Sequence, residues 1–399
     1  MSCEAVVDVR YHQQESSFYC GPTCAQMVLQ SIGGGLLDQD DLWNQIHDYA
    51  SADPSSIGWK SAPDCLAWAL NGLRPAGYPI SIDLHAVTST GVLSRKIIWS
   101  IHQHHLPAIV LTSGMSHWIV VRGFTTSAAP ASAGDTSYSI LSLDINNSTV
   151  VPYAPPPPHS DVDLCGSGGD RGLAENNLSY SHWCSAYLHP VTSGGWTCKF
   201  LAICDPDPPP LFGGMVATTS TPENGTQILS QQRAKDLAIA AISQYGLETR
   251  TSWAPFLRGA KPGPPVLVQR LDRLDSFYYI VPMQNGPAVP VLVSVDARFG
   301  SYLEAGRTAQ PQNNALSGLN FAPTWAEQQV VGSKIDLRSG GRVTIRKEAF
   351  ALYPTLVWRP CRESQSPFLP FFMVIVGGQR LYLRVDGRLF TRLHTGDVA

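Results

Sequence analysis

Residues 13–34, QQESSFYCGPTCAQMVLQSIGG, set an irregular polar approach directly against an apolar run of helical period. Ala25, Val28, Leu29 and Ile32 recur at three- and four-residue steps, the spacing of one buried helical face. Pro22 suits a first helical turn, where its missing N–H costs nothing. The glycines at 33–35 then stop the helix. Cys20 therefore stands at a helix N-terminus, against the positive end of the macrodipole and beside unpaired N–H donors. That setting lowers a thiol pKa and favours the thiolate. Six residues earlier, Gln14 offers a neutral amide donor. A cysteine so seated, preceded by such a donor, can attack a carbonyl and steady the oxyanion. The alternative from the same residues is a small buried hydrophobe.

A chain of 399 residues is long for one domain, and two are expected. With 44% hydrophobic and 15% charged residues it can bury a large core. The formal net charge of −3 and the lack of a Lys/Arg-rich run argue against a nucleic-acid partner. No uninterrupted apolar stretch reaches the length of a membrane span. The start, MSCEAVVDVRYHQQ, lacks the basic and apolar regions of a secretory signal, so a soluble, cytoplasmic protein is expected. Nine cysteines are an odd, thinly spread set, unlike a secreted disulfide framework. Cys3, Cys65, Cys165, Cys184, Cys198, Cys204 and Cys361 make no paired CxxC spacing. Cys20 and Cys24 lie one helical turn apart but lack further ligands, so packing is the reading for Cys24, and neither metal nor cofactor is expected.

In chain order, LLDQDDLWNQIHDYA predicts a second helix with Asp38 as N-cap. Residues 61–73 predict a third and 93–102 a fourth. Then the pattern changes. LPAIVL, residues 106–111, and HWIVV, residues 117–121, flank a polar turn and read as a β-hairpin. A third run covers 138–145. Helices first and an antiparallel sheet second is an α+β layout. Residues 152–195, rich in Pro, Gly, Ser and Asn, read as a surface insertion holding one short helix near 181–187. WTCKFLAIC, residues 196–204, returns to strand character and closes a first domain spanning 1–205.

A Pro-rich linker is expected at 206–224, because consecutive prolines favour extended geometry. A second domain spans 225–399. It opens on a helix over 228–245 and is otherwise strand-rich, with a weak internal repeat. The stretch from Val266 and the stretch from Thr355 each give strand, bulky strand, Gly-containing turn and strand. Each then ends on Val-Asp-x-Arg, at 295–298 and 385–388. No nucleophile cluster stands out there, so this half reads as binding or regulatory.

A nucleophilic cysteine needs a base, and the base an orienting partner. Of eleven histidines, His102, His104 and His105 read as a polar helix end. His117 begins an apolar strand straight after a turn, so its ring can project into a cleft edge. Asp144 follows one strand later in LSLDINN, where a buried carboxylate wants a partner. Gln14, Cys20, His117 and Asp144, in that order, resemble the papain-like cysteine peptidases. The resemblance rests on Gln-x5-Cys-Gly-Pro entering a helix, the strands LPAIVL and SHWIVVRGF, and LSLDINN. It is closest to the branch that processes bacteriocin leaders at a double glycine, and covers roughly residues 8–150. It implies Cys20 as nucleophile, His117 as general base and later acid, Asp144 orienting His117, and Gln14 with the Cys20 backbone N–H as oxyanion hole. Asn146 or Asn147 could replace Asp144, since the loop at 125–136 and the later insertion lengthen the usual pattern. The helix-plus-strand units of the second half resemble PepSY-type domains in element order.

The expected activity is a cysteine peptidase or amidohydrolase working through a thioester on a peptide or protein substrate. Two alternatives use the same residues differently: a non-catalytic peptide-binding scaffold, or a transferase passing the acyl group to an amine.

Overall fold

The structure, a computed structural model, describes residues 2–16, 18–51, 59–112, 117–148, 173–207, 228–273, 275–308, 315–336, 342–346, 354–376 and 379–394. The chain opens on β1 (Cys3–Val6), and the polar approach leads into α1 (Cys20–Ser31), which begins on the cysteine itself. Gly33, at φ +91°, takes the left-handed turn that ends α1, and the Gly34 N–H closes on the Leu29 carbonyl at 2.8 Å. α2 (Gln39–His47) is capped by Asp38, whose carboxylate accepts the Asp40 N–H at 2.8 Å. α3 (Pro63–Leu73), β2 (Asp83–Val87) and α4 (Thr90–His104) follow. β3 (Ala108–Thr112), β4 (His117–Thr126) and β5 (Ile140–Asn147) then form an antiparallel meander. β6 (Leu173–Ser179) leads into α5 (Tyr180–His182), which runs on as a π-helix through Trp183–Tyr187. β7 (Phe200–Cys204) ends this half.

The second half holds α6 (Gln231–Gln244), α7 (Ala254–Leu257), β8 (Lys261–Pro262), β9 (Val266–Arg270), β10 (Phe277–Asn285), β11 (Ala288–Asp296) and β12 (Tyr302–Thr308). After α8 (Pro323–Val330) come the short pair β13 (Lys334–Asp336) and β14 (Arg342–Thr344). β15 (Thr355–Trp358), β16 (Phe371–Val376), β17 (Gln379–Arg384) and β18 (Leu389–Phe390) complete it. The architecture is α+β. Among the described residues no helix is long and apolar enough to cross a membrane.

One sheet runs through both halves, in the order β18-β17-β16-β15-β9-β10-β11-β12-β6-β5-β4-β3-β7-β2, with β1 on β4 and β8 on β10. The seam is the antiparallel pair β6–β12, in which Asn177 faces Ala305 and Asn176 faces Gly306. This corrects two expectations. Residues 173–187 do not belong to a surface insertion, because β6 sits in mid-sheet between β5 and β12 and Trp183 and Tyr187 behind it are buried. Nor do 1–205 and 225–399 keep separate cores: one apolar cluster joins Leu93, Ile97 and Ile145 to Ile280, Phe372 and Leu383. The reason is compositional. LAENNLS does not look like a central strand, yet its polar side chains are paired by neighbouring strands. Glu175 meets Arg122 of β4 and Arg307 of β12, and Glu304 of β12 accepts from Asn176 and Tyr187. Residues 208–224, most of the expected linker, lie outside the described residues, as do 152–172 of the insertion.

The second half contains two meanders, β9–β10–β11–β12 and β15–β16–β17–β18, meeting through the parallel pair β9–β15. In β10, Tyr279, Val281 and Met283 pack under α6, whereas Tyr278 and Ile280 share the opposite face with Phe372, Val374 and α8. The helices therefore cover opposite faces of the sheet. The repeated aspartates do the same local work: Asp296 accepts the Arg298 N–H at 2.8 Å and Asp386 the Arg388 N–H at 3.3 Å.

Candidate active site

The first turn of α1 is pressed onto the start of β4. Trp118 and Val120 pack against Cys24 and Val28, and the Trp118 indole N–H reaches the Ser61 carbonyl at 3.2 Å. Gly21 lets Ser61 come close to the same turn, since a Cβ there would stand 2.5 Å from Ser61 Cβ. The backbone N–H groups of Trp118, Gly21 and Cys20 lie near the Cys20 sulfur and favour its ionised form. The thiol thus sits one residue from His117, although the two are 97 positions apart in the chain.

The polar approach is fixed by Gln39, a fully buried residue at the start of α2. Its Nε2 donates to the Gln13 carbonyl at 3.0 Å, and its Oε1 accepts from the Glu15 N–H at 3.1 Å and Thr23 Oγ1 at 2.8 Å. Gln14 is thereby held beside the end of β5, with its backbone N–H on the Ser148 carbonyl at 3.0 Å. One N–H of its side-chain amide goes to the Ser16 carbonyl at 2.9 Å.

His117 Nε2 lies 2.8 Å from Asn147 Oδ1, and both residues are fully buried. Asp144 does not take that role. It stands opposite Gly123 in the β4–β5 register, six residues along β4 from His117 and so about 20 Å away at the rise of a strand. There it accepts from Asn177 Nδ2 at 2.9 Å and Arg250 Nη1 at 2.8 Å, binding β5 to β6 and to the second half. Asn146 points elsewhere, to the Val9 carbonyl at 3.2 Å. Of Asp144, Asn146 and Asn147, it is Asn147 that stands within hydrogen-bond distance of the imidazole.

The expected depressed thiol is also corrected. Burial lifts the Cys20 thiol to about 11, outweighing the three N–H donors and the positive charge of Arg362. Burial likewise pushes the His117 imidazole down to about 4, against the hydrogen bond it donates to Asn147. Cys20 is 3% and His117 0% exposed, and the pair rests as neutral thiol and neutral imidazole. Burial and the neighbouring Cys20 also raise the Cys24 thiol well above its ordinary value.

Three contributors escaped the sequence reading. Gln39 carries no motif beyond following a helix cap. Arg362 and Gln365 come from the loop between β15 and β16, and Gln365 supplies the carbonyl that accepts Asn147 Nδ2 at 2.9 Å. Elsewhere, His104, Asp205 and Asp207 bring potential ligand atoms within 4.8 Å of one another. The buried Lys96 ammonium already pairs with Asp205, and the Trp99 indole N–H with Asp207, so this cluster is a structural network closing β7 against α4. No family model, curated protein or solved structure matches the chain.

Proposed function

We propose that the chain is a cysteine-dependent peptidase or amidohydrolase with a papain-like arrangement in its N-terminal half, acting on a peptide through a thioester. The observation that carries this reading is the convergence of three elements. A cysteine on the first residue of a helix has its sulfur near the Trp118 N–H, and the adjacent His117 has Nε2 on an asparagine carbonyl. Because Asn147 Oδ1 is an acceptor, Nε2 carries the proton and Nδ1 is the basic nitrogen. Nδ1 takes the thiol proton as Cys20 Sγ bonds to the substrate carbonyl carbon. It then returns that proton to the departing amine, leaving a thioester. Water, deprotonated in turn by Nδ1, releases the acid and restores the thiol. The Cys20 backbone N–H, with the second N–H of the Gln14 amide, suits the developing oxyanion.

The test is digestion of a peptide library by the wild-type protein and by Cys20→Ala, with mass spectrometry of the trapped acyl-enzyme. Cleavage should carry an adduct on Cys20 and fall at least about a thousandfold in the variant. Equal cleavage by both proteins would remove Cys20 from the chemistry. A second reading, a peptide-binding scaffold without catalysis, draws on the burial of both Cys20 and His117. Under it, neither protein cleaves and both retain the same peptides.

A further inference from the structure

The loop joining β15 to β16 belongs to the second half but touches the chemistry of the first. Asn147 Nδ2 donates to the Gln365 carbonyl across 218 positions of chain, in a fully buried contact. The loop is held firmly by its own half. Trp358 Nε1 donates to Ser364 Oγ at 2.8 Å and lies 3.0 Å from the Ser366 carbonyl. The Tyr278 hydroxyl donates to the Pro367 carbonyl at 2.7 Å, and Arg384 Nη1 to the Glu363 carbonyl at 2.6 Å. The Glu363 carboxylate in turn accepts from the His394 backbone N–H at 2.8 Å. The Gln365 carbonyl is thus presented by a scaffold, not by a loose segment.

A primary amide has one accepting end and one donating end, and its partners decide which way it faces. With a carbonyl at one side, Asn147 must turn its NH2 toward Gln365 and its oxygen toward His117. An oxygen facing Nε2 holds the proton there and leaves Nδ1 as the base. If the amide turned end for end, it would present N–H to Nε2, move the ring proton to Nδ1, and remove the basic nitrogen from the thiol side. We propose that the backbone carbonyl of Gln365 is a positioning group for the Cys20–His117 pair, selecting the His117 tautomer through Asn147. The site is then composite, with a first half that carries the reacting groups and a second half that sets their protonation. This inference rests on His117 being the base of the proposed reaction.

The direct test replaces Ser366 by its α-hydroxy acid in the full-length chain. That makes the 365–366 link an ester, whose carbonyl is a much weaker acceptor. Trp358→Phe, which removes the indole donor from the loop, serves as a second perturbation. The readouts are the ring nitrogen spectrum of 15N-histidine protein, with His117 assigned by difference from His117→Gln, and the rate of Cys20 alkylation by iodoacetamide. The wild type should show a single Nε2–H tautomer. The ester variant should show a mixture and about tenfold slower alkylation, the size expected for one weakened buried hydrogen bond. Retention of a pure Nε2–H tautomer in both variants, with unchanged alkylation, overturns the proposal. Failure of the peptidase reading looks different: cleavage would survive Cys20→Ala, or neither protein would cleave, while the tautomer still followed the ester.

Discussion

Cys20 and His117 are held in their neutral forms by the surrounding protein, and this makes the site a contributor to the pH dependence of folding. His117 titrates at about 4 in the native state, lowered by burial, against about 6.5 when unfolded. As pH falls below about 6.5 the unfolded chain takes up this proton first, so stability is full above that point and is lost toward 4. The whole span is worth at most about 3 kcal/mol. Cys20 acts at the other end. Burial raises its thiol to about 11. The unfolded thiol ionises first as pH rises past about 9, and stability falls from there. The urea midpoint should therefore plateau between about pH 6.5 and 9. In His117→Gln the acid limb should be shallower by up to about one proton, and an unchanged limb would show that His117 is already charged in the native state. The residue-scale lesson concerns what a helix N-terminus can do alone. Three N–H groups beside a sulfur do not produce a thiolate when the same packing excludes water.

Within β5 two polar residues have opposite duties, and substitution separates them. Asp144 binds strands together through Asn177 and Arg250, whereas Asn147 faces the imidazole. Asp144→Asn is expected to lower stability by about 2–3 kcal/mol, since Arg250 loses a buried counter-charge, while leaving Cys20 alkylation unchanged. Asn147→Ala should slow alkylation. A slowed Asp144→Asn protein of normal stability would restore the aspartate to the imidazole. Sequence alone could not make this choice, because both residues sit in the same seven-residue run and only the β4–β5 register tells them apart. What was legible was local. The period of Ala25, Val28 and Leu29 places α1, Asp38 announces α2, and the apolar runs around 113–116 mark β3 and β4. β6 was hidden because LAENNLS is a central strand whose polar side chains find partners only in the assembled sheet. Gln365 was hidden because a backbone carbonyl leaves no trace in sequence at all.

The whole molecule is organised by the seam between β6 and β12, which turns two expected domains into one sheet. Leu178, Ile280, Phe372 and Leu383 share one apolar cluster, so neither half can be withdrawn without exposing the other. Full-length protein should unfold in a single calorimetric transition with equal van't Hoff and calorimetric enthalpies. Chains cut at residue 207 should aggregate when made separately, and recover a native far-UV spectrum only when folded together. Two well-separated transitions would show that the halves are independently stable. Finally, the contact between Asn147 and Gln365 has a meaning in time as well as space. At a ribosomal rate of about 5–20 residues per second, the chain between them takes on the order of ten to forty seconds to be made. Throughout that interval the nascent polypeptide carries its cysteine and histidine without the Gln365 carbonyl, so this buried contact between the two halves forms only after most strands of the sheet have been made.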